Sequence, residues 1–445
     1  MKDTSKFSSF GVIVAMAGSA VGLGNIWRFP YLVGENGGAA FIFIYLAIVL
    51  LISLPIFLSE FVIGKRSQAN PVGAFRKLAP GSKWHWVGIL GVAAAFVLMA
   101  FYCVIGGWST NYLVRALGFQ FSSANSPDFE AIFANSVKTA WPPVIYMIIF
   151  LAMTAVILLG GVKSGIEKFC KVMMPTLFFL VLFIAIYAMC LPGAGEGVRY
   201  LFRPDFSKVT GSTLISALGQ AFFSLSLGMG CMITYASYAS PDENATRCSV
   251  ITAFADTAFA IIAGCAVMPA VFAFGGNPES GPGLVFLTLP QIFEKMPLGN
   301  IVAILFFMAL LLAALTSAIS LVEVMLAYLI QEFKMRRGLA LTLVFLLLTG
   351  VGTLCSLSQG AVPELKVFGM DFLSFMDYTS ANIMMTIGAL LTVIFIGWKL
   401  GKNIFQEELT THGTLNMPKW FIDTEFFMIR FIVPLVILLI MIVSL

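Results

Sequence analysis

Residues 18–30, GSAVGLGNIWRFP, interrupt one of the most apolar stretches of the chain. Gly18, Gly22 and Gly24 lie close together in it, and glycine is among the poorest helix formers after proline. A helix that breaks inside hydrocarbon leaves backbone N–H and C=O groups without partners, and each costs several kcal/mol unless something satisfies it. The stretch therefore predicts a membrane helix that is broken near its middle around ions and a polar ligand.

The composition is that of a polytopic membrane protein. The chain has 445 residues, of which 59% are hydrophobic and 11% are charged, and its mean hydropathy is +0.96. A soluble domain with this ratio would expose too much apolar surface. The 7 cysteines form no CxxC pair and the 2 histidines are too few for a His-rich metal centre, so neither a disulfide scaffold nor a zinc site is predicted. No nucleophile is paired with a base in a known motif, and we expect no enzymatic activity.

About eleven segments are long enough to cross a bilayer, since a span needs roughly 20 apolar residues. They cover residues 7–33, 40–64, 86–117, 141–160, 169–191, 214–240, 249–274, 301–330, 339–357, 375–400 and 426–445. Lys and Arg are more frequent in the loops on the side of the N-terminus, which predicts a multi-pass protein of the cell membrane with a cytoplasmic N-terminus. Residues 280–297 are apolar but short and bounded by proline, so we expect a re-entrant or capping loop there.

Two segments five spans apart carry the same kind of interruption. The first contains AVGLGN at 20–25 and the sixth contains SLSLGMGC at 224–231. Because five is odd, two units that each begin with such a helix have opposite orientations in the membrane. Paired interruptions of this kind point to an inverted-repeat transporter with its site at the membrane midplane. Freed carbonyls suit a cation and freed N–H groups an anion, although a glycine kink used only for helix packing is the alternative.

Several motifs resemble those of the neurotransmitter:sodium symporter family. They are AGSAVGLGNIWRFPY, ENGGAAF, GQAFFSLSLGMG, LTLPQIF and AALTSAIS, in the family's order and spread over nearly the whole chain. The resemblance, which extends to bacterial amino-acid transporters similar to the leucine transporter, implies a single all-α transporter domain over residues 1–445. It implies a leucine-transporter-type 5+5 inverted repeat with discontinuous helices 1 and 6. The five-helix repeats would cover 7–191 and 214–400, with an additional transmembrane helix at 426–445.

The resemblance also implies two sodium sites built from oxygen atoms, which suit a hard cation. The first would use the carbonyl of Ala20, the amide of Asn25, the side chains of Ser224 and Asp256, and the substrate carboxylate. The second would use the carbonyls of Gly18, Val21 and Ala313 with the hydroxyls of Thr316 and Ser317. Taken alone, a Thr-Ser pair on a helix is more often a hydrogen bond between helices, but the matching break in the first span favours an ion site.

Asp256 lies deep in the seventh segment, where an isolated carboxylate costs at least a few kcal/mol and should be paired or protonated. Many members of the resembled family have Asn at this position, and a bound chloride or a Glu one turn later supplies the negative charge. Here the residue one turn later is Ala260. We therefore expect Asp256 to coordinate sodium and to replace chloride, so that transport needs no chloride.

The resemblance places the substrate pocket on spans 1, 3, 6 and 8. The matching residues are Ser19, Ala20, Gly22, Leu23, Gly24, Leu98, Tyr102, Phe223, Ser224, Ser226, Met229, Ser317 and Leu321. The Tyr102 hydroxyl would reach the substrate carboxylate, although a Tyr in a span is otherwise usually a packing residue or an interface anchor. Relatives that carry monoamines have Asp at the position of Gly22, so its absence implies a ligand with its own carboxylate. Because the lining of the side-chain end is apolar and includes an adaptable Met, we expect neutral hydrophobic or aromatic amino acids.

Gating residues follow from the same resemblance. Arg28 and Asp377 would form an outer ion pair, with Phe223 as a lid beneath it. Glu60 would satisfy N–H groups at the break of the sixth span. Gly165 and Pro175 would form a hinge in the fifth span, since proline removes a helical hydrogen bond and glycine eases unwinding. A snorkelling Arg28 and a plain proline kink are the alternatives.

The chain departs from the family at the inner gate. Gln331 stands where the family has an Asp, with Glu332 adjacent, and the N-terminus offers Lys2 and Lys6 but not the usual Arg. The sequence therefore assigns no inner gate. Glu323 also stays open, since it could serve proton counter-transport or form a hydrogen bond between helices.

Together these features predict a sodium-coupled, chloride-independent amino-acid symporter that works by alternating access. Its expected partners are the amino-acid substrate, two sodium ions and the lipid bilayer, with no nucleic acid. A proton-coupled permease that uses Asp256 or Glu323 is one alternative. A non-transporting amino-acid sensor or channel on the same scaffold is the other.

Overall fold

The computed structural model describes residues 6–122, 127–281 and 283–443, and most of them are helical. In these ranges, 9 continuous helices are long and apolar enough to cross a membrane. We number the spans in chain order and count two broken ones, spans 1 and 6. Spans 2 to 5 are Ala39–Ser67, His85–Leu117, Trp141–Leu159 and Val162–Met189, and spans 7 to 11 are Ala245–Ala273, Gly299–Phe333, Arg337–Leu357, Phe372–Leu400 and Lys419–Ile442.

Span 1 breaks at its glycines, as the sequence predicts. Its helices Ser9–Ala20 and Gly24–Glu35 meet at 42°. The first is capped by Ser8, whose hydroxyl accepts the N–H of Gly11. Counted as one crossing, this pair raises the number of candidate crossings in the described residues to 10.

Span 6 is broken by a longer non-helical link. Its helices are Gly211–Ser224 and Cys231–Ser237, and residues 225–230 join them. In the link Ser226, Gly228 and Gly230 have φ of 53°, 76° and 76°. Glycine adopts this left-handed conformation readily, whereas it strains a serine. The predicted all-α polytopic fold with two discontinuous helices is confirmed.

The helix ends differ from the hydropathy segments at several places. Span 5 begins at Val162 rather than 169, so Gly160 and Gly161 make the whole link from span 4. Span 8 runs for 35 residues from Gly299 to Phe333. Hydropathy finds the apolar part of a helix, while the polar turns that extend beyond it are helical too.

Short elements connect the spans. They are the helices Pro71–Leu78, Phe129–Phe133, Gly195–Phe202, Phe206–Lys208, Leu289–Lys295 and Lys402–Leu409, and a hairpin of Lys366–Val367 with Met370–Asp371. In segment 280–297, of which residue 282 is outside the described ranges, the turn Leu284–Thr288 leads into Leu289–Lys295. Tyr112 donates to the Phe286 carbonyl at 2.6 Å, which fastens this segment to span 3.

The two breaks face each other at the centre of the molecule. Gln220 Nε2 of span 6 donates to the Gly24 carbonyl at 2.8 Å, and Ser226 Oγ donates to the Ser19 carbonyl at 3.1 Å. Spans 3 and 8 pack along each other, and span 8 also packs against both broken spans. The polar backbone of the breaks is therefore enclosed by protein rather than by lipid.

Candidate functional site

A small cavity lies where the breaks of spans 1 and 6 meet spans 3 and 8. It has a volume of about 20 Å³ and is lined by Ser19, Ala20, Gly22, Gly24, Leu98, Tyr102, Phe223, Ser226, Met229, Ser317 and Leu321. All the predicted pocket residues except Leu23 and Ser224 are in this set. A cavity of this volume has room for about one water molecule, so the structure shows the site in a closed form.

Gly22 and Gly24 let span 1 approach its neighbours closely. A Cβ on Gly22 would lie 3.1 Å from Ser317 Cβ and 3.3 Å from the Tyr102 hydroxyl oxygen. A Cβ on Gly24 would lie 2.9 Å from the Phe223 ring. The break is therefore packed so tightly that side chains are excluded at both positions.

Polar and apolar groups occupy different walls of the cavity. The Tyr102 hydroxyl accepts the Leu23 N–H at 3.4 Å, beside the freed backbone of span 1. Leu98, Met229 and Leu321 are each at most 3% exposed and form the apolar wall. An elongated ligand with a polar end and an apolar end would match this division.

The predicted first sodium site gathers buried oxygen atoms from spans 1, 6 and 7. Asn25 Nδ2 donates to Asp256 Oδ1 at 2.8 Å and to the Asp256 carbonyl at 3.1 Å. Ser224 Oγ donates to Asp256 Oδ1 at 2.8 Å. Asn25 Oδ1 accepts the N–H of Gly22 at 2.9 Å, which ties the cluster to the break. Ala20, whose carbonyl completes the predicted set, ends the first helix of span 1 and lines the adjoining cavity.

The Asp256 carboxylate is fully buried, and among the described residues no Lys or Arg pairs with it within 4.0 Å. Its hydrogen bonds come from Asn25, Ser224 and Tyr45, which are neutral. A buried carboxylate without a cationic side chain is costly unless a cation or a proton compensates it. The cluster is thus chemically suited to a hard cation held by oxygen ligands.

The predicted second sodium site also comes together at the span 1 break. Thr316 Oγ1 donates to the Val21 carbonyl at 3.3 Å and to the Ala313 carbonyl at 3.0 Å. Ser317 Oγ instead donates to the Ser19 carbonyl at 3.1 Å. Gly18 lies on the span 5 side of the same helix, where a Cβ would be 3.1 Å from Cys170 Sγ. Hydroxyls of span 8 therefore meet carbonyls that the break has freed.

Three residues in this region were missed by the sequence analysis. Tyr45 of span 2 donates to Asp256 Oδ2 at 3.2 Å, Ser320 Oγ bonds Ser19 Oγ at 2.7 Å, and Gln220 binds the Gly24 carbonyl. Ser320 lies one turn from Thr316 and Gln220 one turn from Ser224, so helical spacing could have indicated both. Nothing in the apolar surroundings of Tyr45 distinguishes it from a packing residue.

Glu60 of span 2 reaches the break of span 6. Its Oε1 accepts the N–H of Gly228 at 2.6 Å, and the side chain is fully buried. Its Oε2 has no hydrogen-bond partner among the described residues. The carboxyl group therefore occupies the position predicted for it, with one oxygen still free to bind a donor.

At the outer end, Arg28 lies over the cavity lid. Its guanidinium carbon is 5.0 Å from the centre of the Phe223 ring, and Nη1 donates to the Gly219 carbonyl at 3.4 Å. Among the described residues no ion pair within 4.0 Å joins it to Asp377 of span 10. The ring and the carbonyl hold the guanidinium over span 6, so the two predicted gate charges are neighbours but not a contact pair.

At the inner end, Glu323 forms a buried ion pair that the sequence left open. Arg337 Nη2 lies 2.5 Å from its Oε2 and Nη1 lies 3.2 Å from its Oε1. Tyr238 of span 6 donates to Oε1 at 2.8 Å, and Arg337 Nε donates to the Leu158 carbonyl at 2.7 Å. Glu323 therefore forms an ion pair and a hydrogen bond with residues of other helices. Together Leu158, Tyr238, Glu323 and Arg337 connect spans 4, 6, 8 and 9.

The residues at the usual inner-gate position have other partners. Gln331 Oε1 accepts the backbone N–H of Asn70 at 2.7 Å, and Glu332 pairs with Arg76 at 2.6 Å. Of the two candidate lysines, Lys2 lies outside the described residues, and Lys6 has no ion-pair partner within them. Residues in the link between spans 2 and 3 thus form the hydrogen bonds and the ion pair of Gln331 and Glu332 at the end of span 8.

The predicted hinge segment of span 5 is fully helical in this structure. The helix runs without a break from Val162 to Met189 and includes Pro175. A Cβ on Gly165 would lie 3.1 Å from the carbonyl carbon of Gly160, so this glycine is needed where the chain reverses.

The fold and the paired breaks define a membrane transporter of the inverted-repeat class. The chain belongs to the Sodium:neurotransmitter symporter family, which it matches over residues 5–126 and 132–445. It is therefore a sodium-dependent, multi-pass membrane transporter and not an enzyme.

Individual relatives match nearly the whole chain. The chain is 39% identical to an uncharacterized sodium-dependent transporter, YhdH, of Bacillus subtilis (strain 168), over 97% of this chain and 96% of the relative. It is 26% identical to the sodium-dependent dopamine transporter of Bos taurus, over 89% of this chain and 63% of that protein. The crystal structure of MhsT in complex with L-phenylalanine is similar with a TM-score of 0.92 and 41% identity, covering 99% of this chain and 100% of that one.

Proposed function

We propose that this protein is a sodium-coupled symporter of neutral hydrophobic or aromatic amino acids. The observation that carries the proposal is the cavity between the two breaks, with a freed backbone and Tyr102 on one wall and Leu98, Met229 and Leu321 on another. A zwitterion with an apolar side chain has the same division of polarity. Support comes from MhsT, the structural relative at 41% identity, whose crystal structure contains L-phenylalanine.

Coupling would arise because substrate and sodium share the break of span 1. The substrate carboxylate would lie at the N–H groups that begin the helix Gly24–Glu35, where the helix dipole favours an anion. The same carboxylate would complete the first sodium site at Asn25, Ser224 and Asp256, next to Gly22. Each ligand then raises the affinity for the other by the same factor.

Two sodium sites are proposed, and their roles differ. The first contacts the substrate, whereas the second joins span 1 to span 8 through Val21, Ala313 and Thr316. A cation there would hold the broken span against its neighbour. Its release would let the first helix of span 1 and span 5, which touch at Gly18 and Cys170, move apart on the side of the N-terminus.

We propose that transport is independent of chloride. Asp256 supplies a fixed negative charge beside the first sodium site, and Ala260 one turn later adds none. A neutral residue in place of Asp256 would leave an extra positive charge when sodium binds, and only then would an anion be needed.

We further propose that the protein lies in the cell membrane with its N-terminus in the cytoplasm. The loops GKRSQANPVGAFRK, GGVKSGIEKFCK and QEFKMRRG share a side with the N-terminus, and together they hold 10 of the 26 Lys and Arg residues of the chain. Such an excess of Lys and Arg is typical of cytoplasmic loops.

Uptake into proteoliposomes tests the function. With a sodium gradient, we expect saturable uptake of labelled leucine, phenylalanine or tryptophan, and none when choline replaces sodium at fixed pH. Replacement of chloride by gluconate should leave the rate unchanged. Preference for glutamate or lysine, or uptake driven by a proton gradient without sodium, would contradict the proposal; binding without counterflow would indicate a sensor.

A further inference from the structure

A groove on the outside of spans 3, 8 and 9 lies apart from the proposed transport site. It has a volume of about 260 Å³, and its wall is almost entirely apolar. Ala93 of span 3, Met325 of span 8 and Val344 of span 9 are on this wall. Leu346, next to it on span 9, is 62% exposed. The groove therefore opens on the surface that faces the acyl chains of the membrane.

The groove lies close to one surface of the membrane. Its wall begins at Ile89, one turn into span 3, and reaches Leu329, one turn before the end of span 8. At about 1.5 Å per residue, both positions are about 6 Å from their helix ends. These ends share a side with the N-terminus, because the chain crosses twice before span 3. The groove therefore belongs to the leaflet on the N-terminal side.

Two exposed cations follow the end of span 8, a few residues beyond the groove residue Leu329. Lys334 and Arg336 are in the link between spans 8 and 9, a few residues from the wall, and among the described residues neither has an ion-pair partner within 4.0 Å. The neighbouring acidic and basic groups are already paired, Glu332 with Arg76 and Arg337 with Glu323. The local charge is therefore positive and open to an outside anion.

Tyr328 belongs to the groove wall near the end of span 8 that the two cations follow. It lines the groove, and its ring packs edge-on against Phe333 with the centres 5.4 Å apart. Its hydroxyl has no hydrogen-bond partner among the described residues. Tyr is enriched where hydrocarbon meets headgroups, because its ring is apolar and its hydroxyl polar. The end of the groove near the membrane surface thus combines an apolar wall with a polar hydroxyl, and two exposed cations lie in the link that follows span 8.

We propose that this groove binds one anionic phospholipid of the leaflet on the N-terminal side. An acyl chain lies in the apolar part, the ester groups lie at Tyr328, and the phosphate lies at Lys334 and Arg336. An apolar groove alone would accept the chain of any lipid, so the preference for negative charge comes from the two cations. One basic residue near the membrane surface raises the affinity for an anionic lipid about fivefold, and two raise it about thirtyfold.

Native mass spectrometry of the full-length protein tests the proposal. The probe is an equal mixture of phosphatidylglycerol and phosphatidylcholine with the same acyl chains. The unmodified protein should retain one phosphatidylglycerol with about a thirtyfold preference. The Lys334→Gln/Arg336→Gln variant should retain both lipids about equally. Ala93→Trp, which fills the groove, should retain neither at this site.

Matched controls separate the site from general lipid contact. Lys399→Gln removes an exposed cation from the end of span 10 that lies on the same side of the membrane as Lys334 and Arg336. Leu346→Trp adds a ring beside the groove but outside it. Both variants should behave like the unmodified protein. Leu343→Trp, at the more exposed edge of the groove, replaces Ala93→Trp if the latter does not fold. Equal retention of both lipids by the unmodified protein would overturn the proposal. So would full retention by the groove-filling variants, or cross-links that show a second copy of the chain on this face.

Discussion

Asp256 is the single residue on which the proposed ion requirement of this transporter depends. It brings one negative charge into a fully buried cluster in which its partners Asn25, Ser224 and Tyr45 are neutral. A cation bound there gains an ionic ligand without an accompanying anion. With the one sodium ion and one zwitterion proposed for it, the site would therefore carry no net charge.

Asp256→Asn should weaken sodium binding. The change removes a charge-assisted interaction of about 1.5–3 kcal/mol, so the sodium concentration for half-maximal substrate binding should rise at least about tenfold. Sodium titrations with a labelled substrate measure this shift. Asp242→Asn, at an exposed position, is the control and should not change it. An unchanged sodium dependence in Asp256→Asn would show that Asp256 does not bind sodium.

Gly22→Ala should weaken substrate binding by crowding the break. The new Cβ would lie 3.1 Å from Ser317 Cβ and 3.3 Å from the Tyr102 hydroxyl, so these groups must move. We expect at least about a fivefold loss of affinity in equilibrium binding, since about 1 kcal/mol or more is typical of overpacking. Gly350→Ala, in span 9 with open space around it, should bind normally and be equally or more stable. Equal affinities of the two variants would show that the break tolerates a side chain.

Among the elements, the second helix of span 6, Cys231–Ser237, is held near both of its ends by carboxyl groups from other spans. Glu60 of span 2 accepts the Gly228 N–H at the break, and Glu323 of span 8 accepts the Tyr238 hydroxyl just after the helix Cys231–Ser237. A helix this short is marginal by itself. Its position therefore depends on these contacts.

The Glu323–Arg337 pair should stabilise the closed inner end. Glu323→Gln leaves Arg337 without its ionic partner, and because a quarter of the Arg337 side chain is exposed we expect a cost of about 2–3 kcal/mol, below that of a fully buried pair. The double variant Glu323→Gln/Arg337→Gln should lose less than the sum of the single variants. Chemical denaturation in detergent, where it is reversible, measures both.

The exposed pair Glu332–Arg76 is the matched control. It joins spans 2 and 3 to span 8 at the same end, but the Arg76 side chain is 56% exposed, so Arg76→Gln should cost at most about 1 kcal/mol. Equal losses in both pairs would mean that the burial of Glu323 adds nothing. Additive losses in the double variant would mean that the two side chains do not act together.

For the whole molecule, the proposed orientation can be tested by labelling cysteines from one side of the membrane. Six of the seven cysteines are buried and Cys190 is exposed, so Cys190→Ser provides a silent background. Lys366→Cys on the hairpin before span 10 should react with an impermeant maleimide in intact cells. Asn403→Cys, on the helix after span 10, should react only in inverted vesicles. The opposite pattern would place the N-terminus outside.

Much of the molecule could be predicted from local features of the chain. Glycine clusters marked the breaks of spans 1 and 6 because backbone preference is a local property, and Asp256 stood out because a carboxylate is costly in an apolar span. The approximate number of spans followed from hydropathy, whereas the start of span 5 did not, because the polar turn at Val162–Glu167 is helical without being apolar.

The sequence by itself therefore determined the type of fold, the two breaks and the set of oxygen-bearing residues around them. Only the tertiary structure decided that Glu323 pairs with Arg337, that Tyr45 reaches Asp256, and that Arg28 lies on Phe223 rather than against Asp377. Each of these contacts joins residues from different spans. Their partners depend on how the helices are rotated and packed, and no local pattern in the chain encodes that rotation.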